Sequence, residues 1–134
     1  MLRWRLCDVR QGCLLVSKQR AKGTGYEVDV RDWLKPIFPD IERAPFSSPH
    51  GDFVNFPIVL EAKNQKSMTL AEWIDQAERS GARVDLPYAV VHKRIRKNVS
   101  KSYVTLPLDQ LVPAAKAIVA ELNRLEQEAS KGEA

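Results

Sequence analysis

Gly51-Asp52-Phe53-Val54-Asn55-Phe56-Pro57-Ile58-Val59-Leu60-Glu61-Ala62-Lys63 is the stretch on which the reading of this chain turns. The apolar run Ile58-Val59-Leu60 ends in Glu61 and Lys63, the pattern of a buried strand whose last residues turn polar, and residues 56–63 are expected to form it. Side chains alternate along a strand, so Glu61 and Lys63 share one face while Leu60 and Ala62 face the core. Asp52 follows a Gly turn and opens a neighbouring strand over residues 52–55. A tight connection between the two would set the Asp52 carboxylate beside that of Glu61.

Outward from this centre the pattern is regular. Upstream, Thr24-Gly25-Tyr26-Glu27 has the form of a capping box opening a helix, with Val28, Trp33 and Ile37 as its apolar stripe and Pro36 and Pro39 as its stop. Residues 41–46 read as a short strand, and Ser47-Ser48-Pro49-His50-Gly51 as a turn. Downstream, Thr69-Leu70-Ala71-Glu72 is a second capping box. Leu70, Trp73, Ile74 and Ala77 line one face of the helix behind it, and Gly81 is expected to end it. Residues 86–91 and 103–106 read as strands. Residues 113–128 read as an amphipathic helix through Ala117, Ile118, Leu122 and Leu125, followed by a polar tail. The order is α-β-β-β-α-β-β-α. A helix between the third and fourth strands implies a crossover, hence a mixed sheet with helices on both faces. Trp33 and Trp73 are both expected in the core. His92, at the end of an apolar strand, reads equally as a surface residue or as one that meets a ligand.

Composition sets the outer bounds. At 134 residues the chain suits one domain. It contains no run near the roughly 18 apolar residues of a membrane helix, and no signal-peptide core. Cys7 and Cys13 have no second pair elsewhere and read as reduced thiols of a cytoplasmic protein. The formal net charge is +4, yet residues 1–20 carry Arg3, Arg5, Arg10, Lys18 and Arg20 against Asp8 alone. The remainder is close to neutral, so overall charge does not argue for nucleic acid. Local charge says more: Lys93, Arg94, Arg96, Lys97 and Lys101 follow His92 with no acid among them, a run that reads equally as a solvated basic loop or as one that draws polyanions by counterion release. Residues 1–16 lack periodicity. They are expected to be an extension of doubtful order, lying upstream of a natural start at Val16 or serving as a basic arm.

An acid and an ammonium group side by side at a strand end suit phosphodiester hydrolysis. The carboxylate can hold Mg²⁺, and the lysine can orient water or stabilise charge on phosphate. Mg²⁺ asks for one or two carboxylates plus waters and phosphate oxygens, which Asp52 and Glu61 would meet. Singly these features are ordinary: an exposed strand end, a turn aspartate, a capping glutamate. Their succession is more specific.

Lys22-Gly23-Thr24 leading to Glu27, Glu42-Arg43, Gly51-Asp52, Glu61-Ala62-Lys63-Asn64, Leu70-Ala71-Glu72-Trp73 and Val90-Val91-His92-Lys93-Arg94 follow one another over residues 18–111. This succession resembles the PD-(D/E)-x-K nuclease superfamily, and within it the small Holliday junction resolvases of archaea and their relatives in phages. The resemblance implies a single-domain, restriction-endonuclease-like α/β fold of α+β character with a central mixed five-stranded sheet. The nuclease domain would span residues 17–112, and residues 113–134 would add a helix and tail to it. It implies that Asp52 and Glu61 bind Mg²⁺ (with Mn²⁺ as a substitute), joined by Glu27 and the Ala62 backbone carbonyl, and that Lys63 is the catalytic lysine. Lys22, Thr24, Arg43, Gln76, Lys93, Arg94, Arg96 and Lys97 would contact or support DNA. Two positions depart from the pattern: Val28 stands where a basic residue often follows the first glutamate, and Pro49-His50 where an acid often precedes Gly-Asp.

The expected activity is thus metal-dependent cleavage of branched DNA by a cytoplasmic homodimer, since a four-way junction is two-fold symmetric. The rival readings are a nuclease of the same fold acting on DNA ends or duplex sites in repair or restriction, a DNA-binding module without catalysis, and an interaction protein whose charges form only a solvated rim.

Overall fold

A computed structural model describes residues 11–46 and 48–132, with side chains from residue 23 onward. The expectations for residues 1–10, for both cysteine side chains and for the Lys22 side chain lie outside the described residues. The chain runs α1 (Gln11–Leu34), β1 (Glu42–Arg43), β2 (Phe53–Val54), β3 (Val59–Lys63), α2 (Leu70–Val84), β4 (Tyr88–His92), a 3₁₀ turn (Val99–Lys101), β5 (Tyr103–Thr105) and α3 (Leu108–Gly132).

The expected crossover is present. β3 and β4 pair in parallel, Val59 opposite Tyr88 and Lys63 opposite His92, and α2 makes the connection that parallel strands require. β5 adds antiparallel to the far side of β4, leaving β4 central, and all five of its residues are buried. The near-continuous apolar run Tyr88-Ala89-Val90-Val91 fits a strand covered on both faces. One face carries Leu60, Ala89 and Val91 against Tyr26 and Val30 of α1, with Ile118 and Leu122 of α3 packed on the same cluster. The other carries Val59 and Val90 against Trp73 and Ala77 of α2. The protein is therefore mixed α/β, with helices on both faces of a small sheet.

Five strands form in the expected order, but as a two-stranded ladder, β1 with β2, and a three-stranded sheet. A single parallel bridge, Gly51 to Leu60, and the Asp52 N–H donating to the Leu60 carbonyl at 3.3 Å connect the two. β2 stops after two residues because Asn55 turns to φ 58°, and Pro57 has no N–H to extend a ladder.

The helices differ from expectation at several points. α1 does not open at Thr24; it runs unbroken from Gln11 through Gly23, Thr24 and Gly25. Thr24 and Glu27 are therefore helix-interior residues, and the capping box there is only apparent. Residues 11–16, read as part of an extension, belong to this helix. Its buried stripe is Tyr26-Val30-Leu34 at i, i+4 spacing, continued by Phe38, while Trp33 and Ile37 are half exposed. Thr69 precedes α2 but its side chain makes no capping hydrogen bond. Gly81 lies inside α2 rather than ending it: a Cβ there would stand 2.8 Å from the Leu86 carbonyl oxygen and 3.1 Å from the Tyr88 ring. Its lack of a side chain lets helix and following strand meet. The helix ends at Asp85 in the left-handed region, φ 55°. α3 begins five residues earlier than Pro113, which sits in its second turn. Trp73 is in the core as expected, and His92 is buried, between the rings of Trp73 and Tyr103.

Candidate active site

Four elements and the turn at Gly51 converge on one cleft of about 870 Å³. α1 brings Thr24 and Glu27, β1 brings Arg43, the Gly51 turn brings Asp52, and β3 brings Glu61. α2 forms the opposite wall with Gln76, Arg79, Ser80 and Arg83.

The floor is acidic. Glu61 is 3% exposed, and its Oε1 accepts a hydrogen bond from the Ser80 hydroxyl at 3.1 Å. Asp52 stands next to it because Gly51 allows the chain to approach. At φ +78°, a Cβ on residue 51 would lie 3.2 Å from Glu61 Oε1 and 3.0 Å from Val59 Cγ1. Asp52 Oδ2 accepts the Ala62 N–H at 2.7 Å, a bond that locks the turn onto β3. Glu27 reaches the same place from α1. Its Oε2 accepts two hydrogen bonds from Arg43, at 2.9 and 3.1 Å.

Two of these carboxyls, Asp52 and Glu27, resist ionisation. Burial first, and the charge of Glu61 second, push Asp52 up to about 6, even though the Ala62 N–H favours its charged form. Burial and the charge of Asp52 also raise Glu27, and the Arg43 pair does not overcome them. The floor thus holds more negative charge than its own partners neutralise, the condition under which a divalent cation gains most. The donors, hard carboxylate oxygens, are those Mg²⁺ and Mn²⁺ accept. Among the described residues no group of three or more His, Cys, Asp or Glu side chains is arranged to hold a metal ion; Mg²⁺ asks for only one or two carboxylates, completed by waters.

Lys63 lies on the same face of β3 as Glu61, and its Nζ donates to Gln76 Oε1 at 2.6 Å. Lys63 does not line the cleft; its partner Gln76 does. This contact gives Gln76 a structural task that the sequence left open.

The basic run is elsewhere. Lys93 and Lys97 line a separate recess beside Asp29, Asp32 and Trp33 of α1, on the opposite face of the sheet from α2. The Arg94 guanidinium stacks on the Tyr103 ring, 4.6 Å from its centroid, and Arg96 is exposed with φ 60°. The structure therefore gathers Thr24, Glu27, Arg43, Asp52, Glu61 and Gln76, with Lys63 adjoining, and leaves Lys93, Arg94, Arg96 and Lys97 outside that cleft.

Sequence reasoning missed Ser80, Arg79, Arg83 and Phe46. Gln76, Arg79, Ser80 and Arg83 fall at i, i+3, i+4 and i+7, so a polar helical stripe was there to be read. Phe46 is fully exposed at the cleft mouth. No family model, curated protein or solved structure matches the chain.

Proposed function

We propose that the cleft hydrolyses phosphodiester bonds, and that the chain is a metal-dependent endonuclease of the PD-(D/E)-x-K type acting on branched DNA such as Holliday junctions. The observation that carries this reading is the juxtaposition of Asp52 and Glu61 in one cleft, with Lys63 on the Glu61 face of the same strand. β1–β5 would correspond to the core sheet of a restriction-endonuclease-like fold. No helix among the described residues is long and apolar enough to cross a membrane, and a cytoplasmic homodimer is the form in which two sites could meet a two-fold symmetric junction.

Asp52 and Glu61 would hold Mg²⁺ or Mn²⁺, with Glu27 and the Ala62 carbonyl as further ligands. When bound there, such an ion would supply positive charge against the phosphate oxygens. The remaining work falls to the chain. The Ala62 N–H and the Ser80 hydroxyl fix the orientations of Asp52 and Glu61. Lys63, steadied by Gln76, positions a water for in-line attack on phosphorus and offsets charge that develops there. The new bond joins the water oxygen to phosphorus and the P–O3′ bond breaks. The products are a 5′-phosphate and a 3′-hydroxyl, which takes up a proton. Arg43, which is paired with Glu27, would offer its remaining N–H groups to a non-bridging phosphate oxygen.

The test is cleavage of an end-labelled four-way junction, with linear duplex and single strand alongside, in Mg²⁺. Paired nicks in the junction that vanish in Glu61→Gln and Lys63→Ala are expected. Equal cutting of linear DNA would retain the nuclease and remove junction selectivity. Binding without cutting, in Mg²⁺ and again with Mn²⁺ in its place, would favour the non-catalytic DNA-binding module.

A further inference from the structure

Arg79 and Arg83 stand one turn apart on α2 and both line the cleft opposite the acidic floor. They share a helix face with Gln76 and Ser80, the residues that hold Lys63 and Glu61. Both are exposed, and among the described residues neither makes an ion pair. Arg43, the third arginine of the cleft, is committed to Glu27. The cleft is therefore divided, with carboxylates on the β3 side and two uncommitted guanidinium groups on the α2 side.

We infer that Arg79 and Arg83 form a phosphate clamp that seats the nucleic-acid strand along α2, so that the phosphate to be cut lies over Asp52 and Glu61. Side chains at i and i+4 have Cβ atoms roughly 5–6 Å apart, so the pair can engage neighbouring phosphates of one strand. Guanidinium groups take phosphate oxygens through paired N–H bonds, which fixes orientation as well as supplying charge. An anionic strand is otherwise repelled by the floor, and these arginines offset that repulsion from the α2 side. The basic run at residues 93–97, in contrast, lies outside this cleft and cannot seat the strand there.

The inference rests on the nucleic-acid reading of the cleft, and the two can fail separately. The measurement is equilibrium binding of a fluorescent four-way junction in EDTA over a series of salt concentrations, with cleavage in Mg²⁺ run in parallel. Each phosphate contact contributes about 0.9 to the slope of log affinity against log salt. Arg79→Ala/Arg83→Ala should therefore flatten the slope by about 2 and weaken binding most at low salt. Arg79→Lys/Arg83→Lys should keep the slope near wild type, because charge is retained, yet lose cleavage rate through poorer orientation. Lys116→Ala, on α3 away from the cleft, should leave both unchanged. A wild-type slope in the double alanine variant, with its melting temperature intact, overturns the clamp even if the wild type cuts DNA. The expected slope change in a chain that never cuts upholds the clamp and removes the nuclease. A wild-type chain that binds no DNA overturns both.

Discussion

Asp52→Asn should make the metal-free protein more stable while removing its activity. Asp52 is raised to about 6 from an ordinary 3.8, chiefly by burial and then by Glu61. A displacement of that size corresponds to about 3 kcal/mol against the ionised form at neutral pH, taken as an upper bound. A raised carboxyl costs nothing below its unfolded pKa. Its cost grows as pH climbs from about 4 through 6 and is complete above that. Asparagine removes the charge and keeps an oxygen to accept the Ala62 N–H, so the packing that holds the turn survives. In EDTA at pH 7.5 the variant should melt up to about 10 °C above wild type. At pH 4 the two should coincide. The difference between the proteins is the quantity to follow, because buried His92, whose pKa is lowered by desolvation, moves both the other way as pH falls below about 6.5. Thermal or urea denaturation of the pair at several pH values suffices. An Asp52→Asn protein less stable than wild type at pH 7.5, or a gap that does not close on acidification, refutes the reasoning.

Three other outcomes are expected. Gly51→Ala should lose about 1–2 kcal/mol from the left-handed backbone alone, and activity as well, because the new Cβ crowds Glu61 Oε1 at 3.2 Å; melting and cleavage together check it. Gln76→Ala should lower the single-turnover rate on the order of 10²-fold through a misplaced Lys63, with DNA affinity little changed, as read by pre-steady-state cleavage and binding. The two tryptophans should behave oppositely: Trp73→Ala should cost about 3–5 kcal/mol, whereas Trp33→Ser, at 51% exposure, should change urea stability by no more than roughly 0.5 kcal/mol.

Legibility followed the strength of local periodicity. The apolar runs of β3 and β4 and the Leu70-Trp73-Ile74-Ala77 face of α2 gave the parallel crossover unit, and strand alternation placed Glu61 and Lys63 together. α1 was hidden by Gly23 and Gly25, each worth about 1 kcal/mol against a helix, and by a capping-box pattern that local sequence cannot tell from a real helix start. Packing decided otherwise: Tyr26 and Val30 bury against the sheet, and the Tyr26 hydroxyl donates to Ser102 at 2.7 Å. Trp33 was expected inside as part of a Val28-Trp33-Ile37 stripe, but the buried stripe is Tyr26-Val30-Leu34, which leaves Trp33 on the helix flank. Gly81 read as a stop, since a glycine that ends a helix and one that lets a strand pass close look alike in sequence. The separation of residues 93–97 from the acids was not legible at all, because it depends on which face of the sheet each strand end turns toward. Arg79 and Arg83 were legible in principle, from the same 3.6-residue period that identified the apolar face of α2.

The most direct test of the central claim is Mn²⁺ titration of the purified chain, read by the loss of the free-ion electron paramagnetic resonance signal, with no DNA present. Wild type and Lys63→Ala should each bind the ion, and Asp52→Asn and Glu61→Gln should each lose that binding. Wild-type protein that leaves the free Mn²⁺ signal unchanged at millimolar ion, or undiminished binding in both carboxylate variants, would contradict the assignment of Asp52 and Glu61 as the metal-holding pair.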